Sequence, residues 1–206
     1  MILLMLLSLA FGAADTLGGP WIGVEGGLEV SKRVDLGLSQ EFRGEFPKGQ
    51  SEFLTSFNTR VQLVKGVSLQ GGYRLEVPLG DPVAHRLAFD LRLDKRFDLV
   101  RLKFRQRYTL GFTDIKHALR SRVGAELRFD MVRPYLQVEP FIRLEEKVRF
   151  HKVRITLGTK IMTPMPEFRV FCLFEQQLDG DRLIAGGVSA FFGAKIKKKK
   201  KPKADD

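Results

Sequence analysis

Cysteine is nearly missing: Cys172 stands alone, so no internal disulfide framework is available. Long apolar runs are missing too, apart from Ile2 to Phe11 at the very start. That run is about ten residues, against the roughly 20 a spanning helix needs, so any entry into a membrane is by strands. Histidine occurs 3 times and far apart, as His85, His117 and His151. No clustered metal ligands, glycine-rich phosphate loop or dinucleotide fingerprint accompanies them. The pattern therefore calls for no metal and no cofactor. Acid is in short supply, with 24 Asp and Glu against 35 Lys and Arg, and a formal charge of +11.

What is present is a rhythm of two. Leu87, Phe89, Leu91 and Leu93 alternate with Arg86, Ala88, Asp90 and Arg92, and Val100, Leu102 and Phe104 alternate with Arg101, Lys103 and Arg105. A period of two places the apolar set on one face of a strand and the charged set on the other. The same rhythm recurs in 11 segments with no helical stretch between them: 20–31, 33–46, 51–65, 67–78, 83–95, 97–111, 117–130, 133–145, 149–162, 166–177 and 183–192. One face holds too much arginine for a buried core and the other is too apolar for water. A barrel closed within lipid satisfies both, because an open edge would leave backbone groups unpaired in hydrocarbon. The reading is all-β: a single antiparallel up-and-down transmembrane β-barrel of about 10–12 strands. An even count is the rule for bacterial barrels, so eleven segments imply either an incomplete first wall strand or one not detected.

The termini read differently. Residues 1–14 pair the apolar run with small Gly12, Ala13 and Ala14, as a secretory signal does, although no Lys or Arg precedes the run. Residues 20–192 are the barrel, and 193–206 form a lysine-rich tail with 7 Lys and 2 Asp, read as disordered. The tail has no interleaved aromatics for stacking on bases, which argues against nucleic acid as a partner. The implied location is the outer membrane of a Gram-negative-type bacterium, with the lipid bilayer and the outer-membrane assembly machinery as partners. Connections alternate between short turns and longer loops, and the rule for such barrels puts the turns in the periplasm. On that rule the last strand runs inward and delivers the tail there.

With the apolar set on lipid, the residues lining the lumen are Arg86, Asp90, Arg92, Arg101, Lys103, Arg105, Arg107, Arg120, Arg122, Glu126, Arg128, Glu139 and Arg143. The same parity adds Glu41, Arg43, Arg60, Arg74, Glu76, Arg154, Lys160, Arg169 and Glu175. Arginine outnumbers acid from Arg86 to Arg128. Either the charges pair across strands and plug the lumen, or the surplus lines a narrow path that favours small anionic solutes. No catalytic residue is assigned. An enzyme of the barrel rim would need a nucleophile and base in hydrogen-bond reach, for which Ser121 and His117 are the nearest sequence candidates. A soluble lipocalin-like ligand-binding barrel is the other alternative, and it would turn the apolar set inward.

Three segments carry a resemblance: Arg101 to Tyr108 (RLKFRQRY), Leu119 to Leu127 (LRSRVGAEL) and Arg133 to Leu144 (RPYLQVEPFIRL). An R-x-R-type strand, an L-R-x-R strand and a P-Y strand followed by an acid (Glu139) resemble an uncharacterised bacterial outer-membrane barrel family, DUF2490. The likeness spans roughly residues 20–192 and departs in the lysine tail. It implies a barrel fold and an outer-membrane location and supplies no activity.

Overall fold

The computed structural model describes residues 16–45, 50–113, 117–144, 148–178 and 182–195. Residues 1–14, read above as a secretory signal, and the tail beyond Lys195 lie outside the described residues. Eleven strands are present: β1 (Thr16–Glu29), β2 (Val34–Glu45), β3 (Gln50–Val64), β4 (Val67–Pro78), β5 (Ala84–Phe97), β6 (Val100–Gly111), β7 (His117–Leu127), β8 (Val132–Leu144), β9 (Val148–Met162), β10 (Glu167–Gln177) and β11 (Arg182–Lys195). Each pairs with its sequence neighbours, and β1 meets β11 to close the barrel.

The count is odd, and the closure resolves the parity problem. All neighbours run antiparallel except β1 and β11, which pair in parallel from Thr16↔Arg182 to Glu29↔Lys195. The first segment is thus a full wall strand, and β1 begins at the opposite end of the cylinder from where β11 finishes. One end carries the two-residue turns 65–66 and 98–99; the other carries the five-residue connections 79–83 and 112–116. The structure moves one turn from its sequence position. Asp94, Lys95 and Arg96 look like turn chemistry, yet they stay in register opposite Lys103, Leu102 and Arg101. Asp94 remains in the ladder because its carboxylate takes Arg101 as partner.

The seam is built from small residues. Gly18, Gly19, Gly23, Gly26 and Gly27 of β1 face Gly186, Gly187, Ser189 and Gly193 of β11 across or beside the register. Parallel pairing is slightly weaker per residue than antiparallel, and side chains inside the barrel reinforce it here. Trp21, Leu173, Leu183 and Ala185 form the buried apolar cluster, with Phe171 packed against it. All sit on β10, β11 and β1. The Phe171 ring lies over Gly187, where an added Cβ would meet it at 2.2 Å. Pro20 precedes the first residue of β1 that pairs with β2, Trp21, so no β2 partner requires its missing N–H.

Elsewhere the faces divide by chemistry. Large apolar side chains stand exposed on the outer surface, including Phe57 and Val61 on β3, Phe89 on β5, Val123 on β7, Leu157 on β9 and Val170 and Phe174 on β10. Cys172 shares that exposed face. The buried charged groups, Glu76, Asp90, Arg107, Glu126, Glu139 and Glu175, alternate with them. This is the opposite of the apolar interior a lipocalin-like barrel requires. Strands of 11–15 residues match or exceed the roughly 9–11 that a tilted strand needs to cross a bilayer.

The parallel seam can be cross-linked. Paired strands lie about 4.8 Å apart, inside the span a disulfide accepts. In a Cys172→Ala background, Ile22→Cys with Val188→Cys, which face each other in the register, should form an intramolecular disulfide. Ile22→Cys with Phe192→Cys, out of register, should not. Mass spectrometry of the linked peptides reads the result, and equal cross-linking of both pairs would contradict parallel closure.

Candidate functional site

The interior is a lattice of ion pairs organised around carboxylates set against the wall. Strands β6 and β7 bring like charges directly opposite one another: Arg105 faces Arg122 and Arg107 faces Arg120, while Arg92 faces Arg105 across β5 and β6. Such rows repel unless acid is inserted. Asp90 takes one arginine from each of two such pairs, accepting from Arg107 Nε at 2.6 Å and Nη2 at 2.7 Å and from Arg92 at 3.1 Å. Glu139, from β8, accepts from Arg105 Nη2 at 2.6 Å and Arg122 Nη2 at 2.7 Å.

The same device recurs around the barrel. Glu126 takes Lys103 and, at 3.2 Å, Lys160. Glu175 binds Lys152 at 2.6 Å and Arg154 Nη2 at 2.7 Å. Glu76 binds Arg86 at 2.8 Å, Glu41 binds Arg43 at 2.7 Å, and Glu167 and Glu25 both bind Arg169, at 2.7 and 3.1 Å. Asp90, Glu126, Glu139 and Glu175 retain only 1–3% of their surface exposure. Their cations lie above them, so the acids are hidden and the guanidinium and ammonium groups face the space.

That space is a cavity of about 890 Å³. Among the described residues, 13 Lys and Arg but 6 Asp and Glu line it. The lining reaches the short-turn end through Glu29, Asp35, Asp94 and Ala194, and stops at Trp21, Arg43, Arg74, Arg120 and Arg154. Beyond those residues, toward the long-loop end, Leu54, Phe141, Leu183 and Ala185 are buried. The boundary layer is aromatic and cationic. Arg43 and Arg154 lie 4.3 and 5.0 Å from the Trp21 ring centre, and Arg120, Arg154 and Lys152 lie 4.7, 5.0 and 5.1 Å from that of Phe141. Such contacts let arginine cover an apolar floor without losing its charge.

The thirteen lumen candidates therefore divide. Arg92, Arg101, Lys103, Arg105, Arg107, Arg120 and Arg122 line the cavity, whereas Asp90, Glu126 and Glu139 lie beneath it as their partners. Arg86 is held by Glu76 outside the cavity lining. Arg128 follows the end of β7, and its backbone N–H donates to Leu99 O. Arg143 is exposed near the long-loop end and donates to His151 Nε2 at 2.9 Å. Sequence reasoning missed the inward aromatic residues Trp21, Tyr135, Phe141 and Phe171. Parity was the available signal, since Phe141 sits two residues from Glu139 and Phe171 two from Arg169.

The rim residues do not assemble a hydrolytic pair. Ser121 Oγ donates to Gln106 Oε1 at 2.7 Å, His117 is bonded to the Tyr108 hydroxyl, and His85 Nδ1 lies 2.5 Å from the Tyr73 hydroxyl. Among the described residues no group of three or more His, Cys, Asp and Glu could hold a metal ion. Compared with protein-family models and with curated proteins, the chain matches none.

Glu139 is the most exacting test of the lattice. Glu139→Gln leaves Arg105 and Arg122 facing each other without a shared anion, and breaking such a buried pair costs about 3–5 kcal/mol. Lys65→Ala, at an exposed turn, should shift stability by less than about 0.5 kcal/mol. Urea unfolding of the folded protein, followed by the fluorescence of its one tryptophan, Trp21, compares the two.

Proposed function

We propose that this chain is a β-barrel of a bacterial outer membrane whose interior is an anion-favouring compartment, entered from the short-turn end. The arrangement of charge carries the reading. Acids are tucked against the wall and cations face the cavity, 13 to 6, and a basic lining biases a pore toward negative solutes. The exposed apolar outer face gives the membrane reading its support, since contiguous apolar surface on this scale is costly in water. The resemblance of the Arg101 to Leu144 region to the DUF2490 barrels agrees with that location. By the rule that short turns face the periplasm, the cavity opens inward and the Trp21 and Phe141 layer faces the outside. A path so closed at one end conducts only when that layer moves. The role is thus a gated anion path or an anion-holding chamber, with no catalytic step.

Two measurements test it. The protein should stay with membranes until detergent is added, and its release by buffer or salt alone would overturn the assignment. In planar bilayers the wild type should conduct weakly, while Trp21→Ala with Phe141→Ala should raise the conductance several-fold. Reversal potentials in a salt gradient should then show anion preference; cation preference would refute the electrostatic argument.

A further inference from the structure

We infer that the closed end of the cavity is a binding site for the phosphate group of a small polar solute, centred on Arg120. The inference deepens the anion-favouring reading but does not depend on membrane insertion. Arg120 is the lining cation on β7 that the lattice leaves without a carboxylate. Among the described residues no ion pair or hydrogen bond holds its side chain; it lies 4.7 Å from the centre of the Phe141 ring, and its Nε is buried without a partner. Its carboxylate neighbour, Glu139, is already engaged by Arg105 and Arg122.

The surroundings deepen the deficit. Arg120 lies within electrostatic reach of Arg74, Arg107 and Arg154. Arg74 is itself weakly matched: Glu76 stands 3.9 Å away, and its Nε donates to Ser56 Oγ at 3.1 Å. Glu41, the carboxylate lining this floor, is held by Arg43 at 2.7 Å. Two further floor donors are buried without acceptors, Arg43 Nε and Trp21 Nε1. Cations from separate strands thus gather around Arg120, whose neighbours hold carboxylates of their own while Arg120 holds none among the described residues. An incoming oxyanion would relieve that repulsion, and guanidinium forks match phosphate oxygens two at a time.

The rest of the cavity indicates what the phosphate is carried on. Above the floor the neutral lining includes amide and hydroxyl groups, Ser39, Ser56, Asn58, Gln70, Gln137 and Thr156, beside the aromatic Tyr135 and Phe191. These groups suit a polyhydroxyl body, and about 890 Å³ leaves room for one beyond the phosphate itself. The ligand class is therefore a small phosphate monoester of sugar type.

Isothermal titration of the folded, detergent-solubilised barrel with inorganic phosphate tests the site. One saturable phosphate per chain is expected, displaced by glucose 6-phosphate and not by glucose. Arg120→Gln should weaken binding at least about tenfold, since hydrogen bonds to charged groups are each worth that much or more. Arg60→Gln, at the mouth and paired with Asp35 at 2.6 Å, should leave it within about twofold. Absence of saturable binding, or equal binding by wild type and Arg120→Gln, would overturn the site. Failure of glucose 6-phosphate to displace phosphate would overturn the ester ligand. If Arg120→Gln does not fold, phenylglyoxal labelling of the wild type replaces it. Phosphate should then protect Arg120 and not Arg60, and equal labelling with and without phosphate refutes the proposal. Loss of phosphate binding with detergent-dependent extraction intact would sink this inference alone.

Discussion

A carboxylate buried beneath two cations is the interaction on which the barrel depends. Strands as basic as β6 and β7 cannot lie side by side with their arginines on one face, because directly opposed like charges repel. Glu139 from β8 draws Arg105 and Arg122 onto a single anion, and Asp90 from β5 holds Arg107 together with Arg92 of its own strand. The pairing holds the wall together and also determines what the interior presents. Each acid spends its charge at the wall, and what remains visible from the cavity is the outer side of the guanidinium layer.

Closure adds a second force. The three strands around the seam, β10, β11 and β1, carry the apolar inner cluster of Trp21, Leu173, Leu183 and Ala185, beside the Arg169–Glu25 ion pair that reaches from β10 to β1. A parallel junction rich in glycine has little side-chain contact of its own on that face. Burial of Trp21 and Phe171 against it supplies the missing stabilisation at roughly 25 cal/mol per Å² of apolar surface. The same tryptophan, covered by Arg43 and Arg154, also forms part of the cavity floor. Stability of the seam and closure of the compartment thus share a residue.

Much of this could be read along the chain. Strict alternation over Arg86 to Leu93 and Val100 to Arg105 identified strands and assigned faces, because the side-chain period of a strand is two whatever its neighbours are. Seven of the thirteen lumen candidates line the cavity for that reason. Parity says which face a residue takes but not how far along the cylinder it stands, so Arg128 and Arg143 were grouped with residues deep inside. Nor does parity distinguish an acid on the cavity surface from one hidden beneath its partners, as Glu126 and Asp90 are. The inward aromatics escaped notice because Phe141 and Phe171 look like members of an apolar outer row until their position relative to Glu139 and Arg169 is counted.

The sequence by itself determined an all-strand chain with one charged and one apolar face, since alternation is a local property of the pleated backbone. Tertiary structure alone decided the odd strand number closed by a parallel pair, which depends on how the first and last strands meet. It alone decided which of the cavity-lining arginines would lack an acid among the described residues. That outcome rests on register and stagger between strands far apart in the chain, and no local pattern encodes where Glu139 falls relative to Arg105, Arg122 and Arg120.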